Sequence, residues 1–304
     1  MKHVLCRAVL PLAAALVATA TWATEVTVET HQGETSVPAN PAKIAVLDIA
    51  ALDTLTALGV KVAGVPQPHY VSYLDEVADQ ATSIGSLFEP DFESLAIMAP
   101  DLIVAGGRSS SQTKPLSRIA PTIDMTIWAD ENSTQVKQAL TRLETYGEIF
   151  ERQEKAADLR KAFEEKLEET KAAVAGKGNA LIILTNGPKV SAYGKGSRFG
   201  WIHEALELPE AKENVDAQTH GEAVSFEFIA EVNPDYLIVV DRGAAVGAEG
   251  ASAVETLDNA LVAGTSAWKA GNVIYVDPAM IYIAGGGIQA MTGVLDQIRA
   301  GFEG

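Results

Sequence analysis

A seventeen-residue stretch of this chain occurs twice. Residues 92–108 read FESLAIMAPDLIVAGGR and residues 226–242 read FEFIAEVNPDYLIVVDR, so Glu93 recurs as Glu227, Pro100 as Pro234, Asp101 as Asp235 and Arg108 as Arg242, each 134 positions later without a gap. Each copy predicts a short helix, a Pro-Asp turn and a buried strand, with an arginine where the strand ends. A period this long is not that of a solenoid, whose units run to about 20–50 residues. It predicts two similar lobes.

The chain between the copies predicts how the lobes are joined. Gln153–Ala175 has no Pro or Gly, is rich in strong helix formers, and carries Ala156, Leu159, Phe163, Leu167 and Val174 at helical spacing. Gly176 and Gly178 end it. At 1.5 Å per residue the helix would be roughly 34 Å long, and its face of Glu, Lys and Arg leaves only one stripe to bury. The alternative for the stretch alone is an ordinary surface helix. Between two copies of a repeat it reads as a stiff connector, with an N-terminal lobe over residues 24–150, the inter-lobe helix over 151–177 and a C-terminal lobe over 178–304.

Residues 1–23 carry Lys2 and Arg7, the apolar run Ala8 to Ala20, and a small residue, Ala23, at the expected cleavage point. This is the pattern of a secretory signal peptide, too short to span a membrane as a mature helix. The single cysteine, Cys6, stands inside it, before the apolar run and too early to be a lipid-anchored first residue. The mature chain is therefore expected to have no disulfide and no Cys-based metal site, and to be a soluble protein of the periplasm. The formal charge is −17, and losing the two cations Lys2 and Arg7 makes it −19. Nucleic acid and anionic membranes are poor partners for such a surface, although a local arginine cluster could still take an anion.

The remaining elements alternate. Val26–Pro38 reads as a hairpin about Gln32-Gly33, Lys43–Leu47 as a buried strand, Ala51–Leu58 as a helix, and Val136 to Phe150 as the helix closing the first lobe. In the second lobe Ala180–Leu184 and Lys189–Tyr193 read as strands, Gly194–Gly200 as a loop into the helix Trp201–Leu206, and Val273–Val276 as a strand before a terminal helix from about Ile288. Alternating strands and helices predict an α/β fold with a parallel, Rossmann-like sheet in each lobe and ligands beyond the strand ends. His203 reads as a helix-surface residue and His69 as loop. Gly285-Gly286-Gly287 lacks the context of a dinucleotide loop and predicts close packing of the last helix. No Ser/His/Asp arrangement, paired catalytic carboxylates or HExxH motif is present, which argues against an enzyme.

The leader, the repeated Glu-to-Pro-Asp motif, and the segments GSRFGWIHEAL, THGEAVSFEFI, NPDYLIVVDR and DNALVAGTSAWKAGNVIYVDP together resemble the periplasmic iron–siderophore binding proteins of ABC importers, most of all the catecholate subgroup. The likeness runs over essentially the whole mature chain. It implies two α/β lobes bridged by one long helix (a class III periplasmic binding protein), little movement on binding, a ligand in the cleft, and no intrinsic cofactor. Fe(III) would arrive as the siderophore complex. The resemblance makes Arg108, Arg198 and Arg242 the arginines lining the cleft, which suits an anionic ferric catecholate. It makes His220 and Tyr282 direct iron ligands, with Tyr275 standing near as another phenol. It makes Glu93 and Glu227 the pair that docks on the importer permease; as residues early in helices, both also suit the helix dipole. The expected partners are a ferric siderophore and the inner-membrane permease, and the protein is expected to be a monomer. Alternatives are a haem or corrinoid carrier of the same fold, disfavoured by three cleft arginines, a secreted metal-dependent enzyme using His220, and a metal-free sensor domain.

Overall fold

A computed structural model describes residues 25–127, 134–215 and 221–304. The expected signal peptide, Trp128 and His220 lie outside the described residues. The chain opens with an antiparallel ribbon of β1 (Glu25–Thr30) and β2 (Gly33–Pro38), paired from Glu25↔Pro38 to Thr30↔Gly33, as the Gln32-Gly33 signal predicts. Then follow β3 (Ile44–Val46), α1 (Ile49–Ala57), β4 (Gly64–Val65), α2 (Asp75–Gln80), β5 (Thr82–Ser83), α3 (Phe92–Met98), β6 (Leu102–Ala105), α4 (Thr113–Leu116) and β7 (Thr122–Asp124). The five strands form one sheet in the order β5-β4-β3-β6-β7, every pair parallel. Its central strands β3 and β6 are wholly buried, which is why they read as unbroken apolar runs without alternation.

Helices α5 (Gln135–Ile149) and α6 (Gln153–Val174) come next. The chain turns between them at Glu151, whose φ of 54° cannot continue a helix. On α6 the buried side chains are Ala156, Phe163, Thr170 and Val174, with Leu159 and Leu167 packed at the edge of the core. Burying Phe163 contributes about 2–3 kcal/mol. Gly176 (φ 71°) ends the helix in the left-handed region that glycine adopts without strain.

The second sheet is built from β8 (Ala180–Asn186), β9 (Lys189–Tyr193), α7 (Trp201–Leu206), β10 (Glu222–Val224), α8 (Phe226–Val232), β11 (Tyr236–Asp241), α9 (Arg242–Ala245), α10 (Ala253–Leu257), α11 (Ala260–Ala263), α12 (Ser266–Ala270) and β12 (Val273–Tyr275). Its strand order is β10-β9-β8-β11-β12. Here the expectation of a wholly parallel sheet fails. β8 and β9 are antiparallel, as are β9 and β10, and only β8, β11 and β12 run parallel. The reason is the connection: Asn186 pairs with Lys189 across a two-residue turn, with Gly187 at φ 54°. A parallel crossover needs a dozen residues or more.

The two repeat copies fold alike. Asp91 caps α3 and Ser225 caps α8, each through its side chain. The helices end at Ala99 and Asn233, both left-handed, each donating its amide to the residue four back at 3.0 Å. The turn aspartates then tie each copy to the start of its sheet: Asp101 accepts from the Lys43 amide at 2.8 Å and Asp235 from the Asn179 amide at 3.0 Å.

The chain closes with α13 (Pro278–Tyr282) and α14 (Ile288–Glu303). α14 lies along α6, with Thr170 Oγ1 donating to the Leu295 carbonyl and Lys166 and Arg299 bridging to Asp296 and Glu169. Its far end packs on the second sheet, where Phe302 stacks on Tyr236 at 3.8 Å between ring centres. Its near end reaches α1 beside the first sheet. As expected, one long helix, α6, joins the sheets along the chain, and α14 packs beside it. His203 is a further correction: it is buried, with Nδ1 at 3.0 Å from the Leu208 carbonyl, and burial holds its pKa below the ordinary value.

Candidate functional site

Three arginines from separate loops converge on one phenol. Arg108 follows β6 in a short 3-10 helix, Gly107–Gln112. That turn is pinned by reciprocal bonds between Ser109 and Gly106, and by the Gly107 amide donating to Thr126 Oγ1 at 2.8 Å. Asp124, at the end of β7, holds the underside, accepting from Ser110 and Thr126 hydroxyls. Arg108 leaves this turn to donate from Nη2 to the Tyr282 carbonyl at 2.9 Å.

Arg198 comes from the loop between β9 and α7. Ser197 donates to the Gly194 carbonyl at 2.6 Å, and Glu210 and Glu204 accept the Lys195 and Gly196 amides. Gly200 is needed here, because a Cβ would meet the Gly194 carbonyl at 2.6 Å. Phe199 is buried against Tyr193, ring centres 4.6 Å apart, and Arg198 lies 5.1 Å over the Phe199 ring. Its Nη2 donates to the same Tyr282 carbonyl at 3.0 Å, and its guanidinium sits 4.3 Å over the Tyr282 ring.

Arg242 is the first residue of α9, placed by Asp241, which caps that turn and also accepts the Ala253 amide. Its Nε donates to the Tyr282 hydroxyl at 3.2 Å and its Nη1 to Asn186 Oδ1 at 3.2 Å. Arg108 and Arg242, equivalent in the repeat, thus approach Tyr282 from the two sheets, at 5.3 Å and 5.9 Å from its ring centre.

The electrostatics follow from this convergence. Among the described residues, no carboxylate lies within ion-pairing distance of any of the three guanidiniums. Burial lowers the pKa of Arg198, with the like charge of Arg108 adding to the effect. For Tyr282, burial of the ring opposes ionisation, but the hydrogen bond from Arg242 and the charges of Arg198, Arg242 and Arg108 outweigh it, so its pKa lies below that of an ordinary phenol. Tyr193 moves the other way, pushed up to about 12 by burial.

A pocket of about 210 Å³ opens beside this cluster, lined by Leu184, Asn186, Lys189, Ser191, Tyr193, Arg198, Arg242 and Tyr282. Lys189, Ser191 and Tyr193 alternate along β9 and so share one face, while Val190 and Ala192 face the other core. None of Asn186, Lys189, Ser191 and Tyr193 is among the site residues expected from the sequence; for the three on β9 the period-two spacing is the available signal. Tyr275 is not part of the pocket lining. His220 lies outside the described residues, but its neighbour Gly221 packs on the pocket wall, where a Cβ would meet the Tyr193 ring at 2.8 Å. Glu93 and Glu227 stand exposed in the first turns of α3 and α8, away from the cluster around Tyr282 in the contacts each makes.

Against known proteins, the sequence profile of the family described as "Periplasmic binding protein" matches residues 44–280. The petrobactin-binding protein YclQ of Bacillus subtilis is 38% identical over 273 residues, covering 88% of this chain and 85% of the relative. The ferric-anguibactin-binding protein FatB of Vibrio anguillarum is 30% identical over 285 residues, covering 92% and 88%. Among solved structures, the periplasmic catecholate-siderophore binding protein VctP of Vibrio cholerae superposes with a TM-score of 0.84 at 29% identity, covering 91% of this chain and 100% of that one.

Proposed function

This chain belongs to the periplasmic binding protein family, and we propose that it captures a ferric catecholate siderophore, or a fragment of one, beside Tyr282 and delivers it to an ABC importer. The observation that carries the reading is the convergence of Arg108, Arg198 and Arg242 around Tyr282 with, among the described residues, no carboxylate in ion-pairing distance of them. Such a cluster is electrostatically incomplete until an anion arrives. A ferric bis- or tris-catecholate is an anion presenting hard oxygen acceptors, and guanidinium remains charged while offering several directed N–H donors. Lys189 on the pocket wall adds a fourth cation. The names of the relatives, which bind petrobactin, ferric anguibactin and catecholate siderophores, support the same class. They are binding proteins, and this chain is a carrier and not an enzyme.

Arginine capture is the first step. The iron of a tetradentate bis-catecholate has two coordination positions left for the protein, and Tyr282 and His220 fill them as phenolate and neutral imidazole. The arginines already favour the phenolate of Tyr282, and Gly221 against Tyr193 brings the chain next to His220 to the pocket wall. Glu93 and Glu227 then present one carboxylate from each repeat copy to cationic residues of the permease. Residues 1–23 direct export, which makes the periplasm the place of capture.

The test is a fluorescence titration of the protein lacking residues 1–23 with a synthetic ferric bis-catecholate, with hemin as the competing ligand. Trp201, buried in the helix that follows the Arg198 loop, supplies signal. Sub-micromolar quenching that weakens in both His220→Ala and Tyr282→Phe supports direct ligation. Tight binding unchanged in both variants removes the iron-ligand assignment and leaves the arginine cradle. Quenching by hemin alone refutes the siderophore reading.

A further inference from the structure

The first turn of α14 is capped by a helix beside the first sheet, α1. A helix N-terminus leaves amides without intrahelical partners, and the N-cap here, Gly287, has no side chain with which to satisfy them. Asp53 of α1 does so instead. Its carboxylate accepts from the Gln289 amide at 2.9 Å and from the Ala290 amide at 3.0 Å. Thr54 Oγ1 takes the Ile288 amide at 3.2 Å, and the Gln289 side chain returns a bond to the Asp53 carbonyl at 2.8 Å. Asp53 is fully buried and also accepts from the Tyr73 hydroxyl at 2.5 Å. Gly287 is required for this approach, since a Cβ there would stand 2.6 Å from the Asp53 carboxyl carbon.

The consequence reaches Tyr282 through the chain. Residues 282–290 run from the arginine cluster to the capped turn, and the first sheet's elements hold both ends: Arg108 at the Tyr282 carbonyl, Asp53 and Thr54 at Ile288 to Ala290. Between them Gly286 packs so closely on Ile127 that a Cβ would meet its Cδ1 at 2.8 Å. The strap has little slack. We propose that Asp53 is the positioning residue for Tyr282: by capping α14 from α1, beside the first sheet, it fixes the strap 282–290, and with it the place of the phenol among the three arginines. This rests on the reading that Tyr282 meets a ferric ligand. Asp53 itself touches no ligand and acts through Tyr282 alone.

The experiment is a double-mutant comparison read with a synthetic ferric bis-catecholate. Asp53→Asn turns an NH2 group toward one of the two amides and so breaks half of the cap. Gly287→Ala leaves the carboxyl unchanged and displaces it. Each is made alone and in a Tyr282→Phe background. Both variants are expected to weaken binding about tenfold when Tyr282 is present and less than twofold when it is Phe. Hydrogen exchange without ligand is expected to rise over residues 282–292 and stay unchanged in the strands of both sheets, a readout that needs no ligand. Equal weakening in the two backgrounds would make Asp53 a purely structural cap and overturn the proposal, as would unchanged affinity or unchanged exchange. If the unsubstituted protein fails to bind the ferric probe, the siderophore reading falls and takes this role with it; that outcome is distinct from binding that is indifferent to Asp53.

Discussion

Replacing Arg198 by methionine is expected to weaken ligand binding strongly and leave the ligand-free protein about as stable as before. Deleting one member of a buried ion pair ordinarily destabilises a fold by about 3–5 kcal/mol, because the opposite charge is left stranded. Arg198 strands nothing. Among the described residues no carboxylate pairs with it, and the Tyr282 carbonyl it serves keeps the bond from Arg108 at 2.9 Å. What is lost is one charged hydrogen bond, worth about 1.5–3 kcal/mol, and stacking over the Tyr282 and Phe199 rings, worth about 0.5–2 kcal/mol. What is relieved is the desolvation of a half-buried guanidinium and its repulsion from Arg108, the same two effects that lower its pKa. Desolvation of a buried ion runs to several kcal/mol, so the two sides cancel to within about 2 kcal/mol. In the complex the balance differs, because an anionic ligand makes each guanidinium favourable. Losing one charged hydrogen bond to a catecholate oxygen then weakens binding roughly 10- to 150-fold. Urea unfolding without ligand and fluorescence titration with the ferric bis-catecholate measure the two quantities. An unfolding free energy lowered by more than about 3 kcal/mol would show that the cluster holds the fold together and refute the argument. An affinity within threefold of the parent would refute it from the other side.

Lys189→Gln is expected to weaken the same ligand about three- to tenfold, with the difference shrinking as salt is raised, since its ammonium is exposed on the pocket wall and screened; a titration at low and high salt checks this. Glu93→Arg with Glu227→Arg is expected to abolish siderophore-dependent uptake in iron-limited cells while the purified protein binds its ligand unchanged, because both carboxylates are exposed on helices remote from the arginine contacts. Burial raises the Asp53 carboxyl to about 7, against hydrogen bonds from Tyr73, Gln289 and Ala290 that lower it. The folded chain therefore keeps a proton over pH 4 to 7 that the unfolded chain releases. The stability this group contributes is full below about pH 4 and declines by about 4 kcal/mol as pH rises through 7. The melting-temperature difference between parent and Asp53→Asn should fall steadily from pH 4 to pH 8, and a constant difference would rule the titration out.

How far the sequence could be read depended on whether a residue's role is carried by its local pattern. The repeat marked Arg108 and Arg242 as equivalent positions at the strand ends, and both reach Tyr282, because β6 and β11 are equivalent strands and each arginine lies just beyond the C-terminal end of its strand. Arg198 has no counterpart in the repeat. It was found by resemblance, and its position depends on Gly200 packing under the Gly194 carbonyl, a contact with no periodic signature. The parallel second sheet was misread because four short apolar runs look alike in either direction, although Asn186-Gly187-Pro188-Lys189 carried the turn that reverses β9. His203 was misread because in this short helix the partly exposed side is taken by Glu204 and Ala205, while His203 lies with Trp201, Ile202 and Leu206 on the buried side.

Asp53 was the least legible of all. Within the apolar run of α1 an aspartate reads as the one solvated position of a helix, and the groups that satisfy it are backbone amides more than two hundred residues away, which have no side-chain pattern. The sequence did mark the other half of the contact. Gly285-Gly286-Gly287 predicts close packing, and each glycine is answered by a different neighbour: the Ile281 carbonyl, the Ile127 side chain and the Asp53 carboxyl. A triple glycine is flexible when isolated, yet here all three positions are confined, by Ile281 on α13, Ile127 beyond β7 and Asp53 on α1. That confinement explains how a short segment can hold Tyr282 in place beside Arg108. It also makes α14 a second tie between the sheets beside α6. A lobe rotation that opened the cleft would have to break the amide bonds to Asp53 and Thr54 before it moved the phenol away from Arg108.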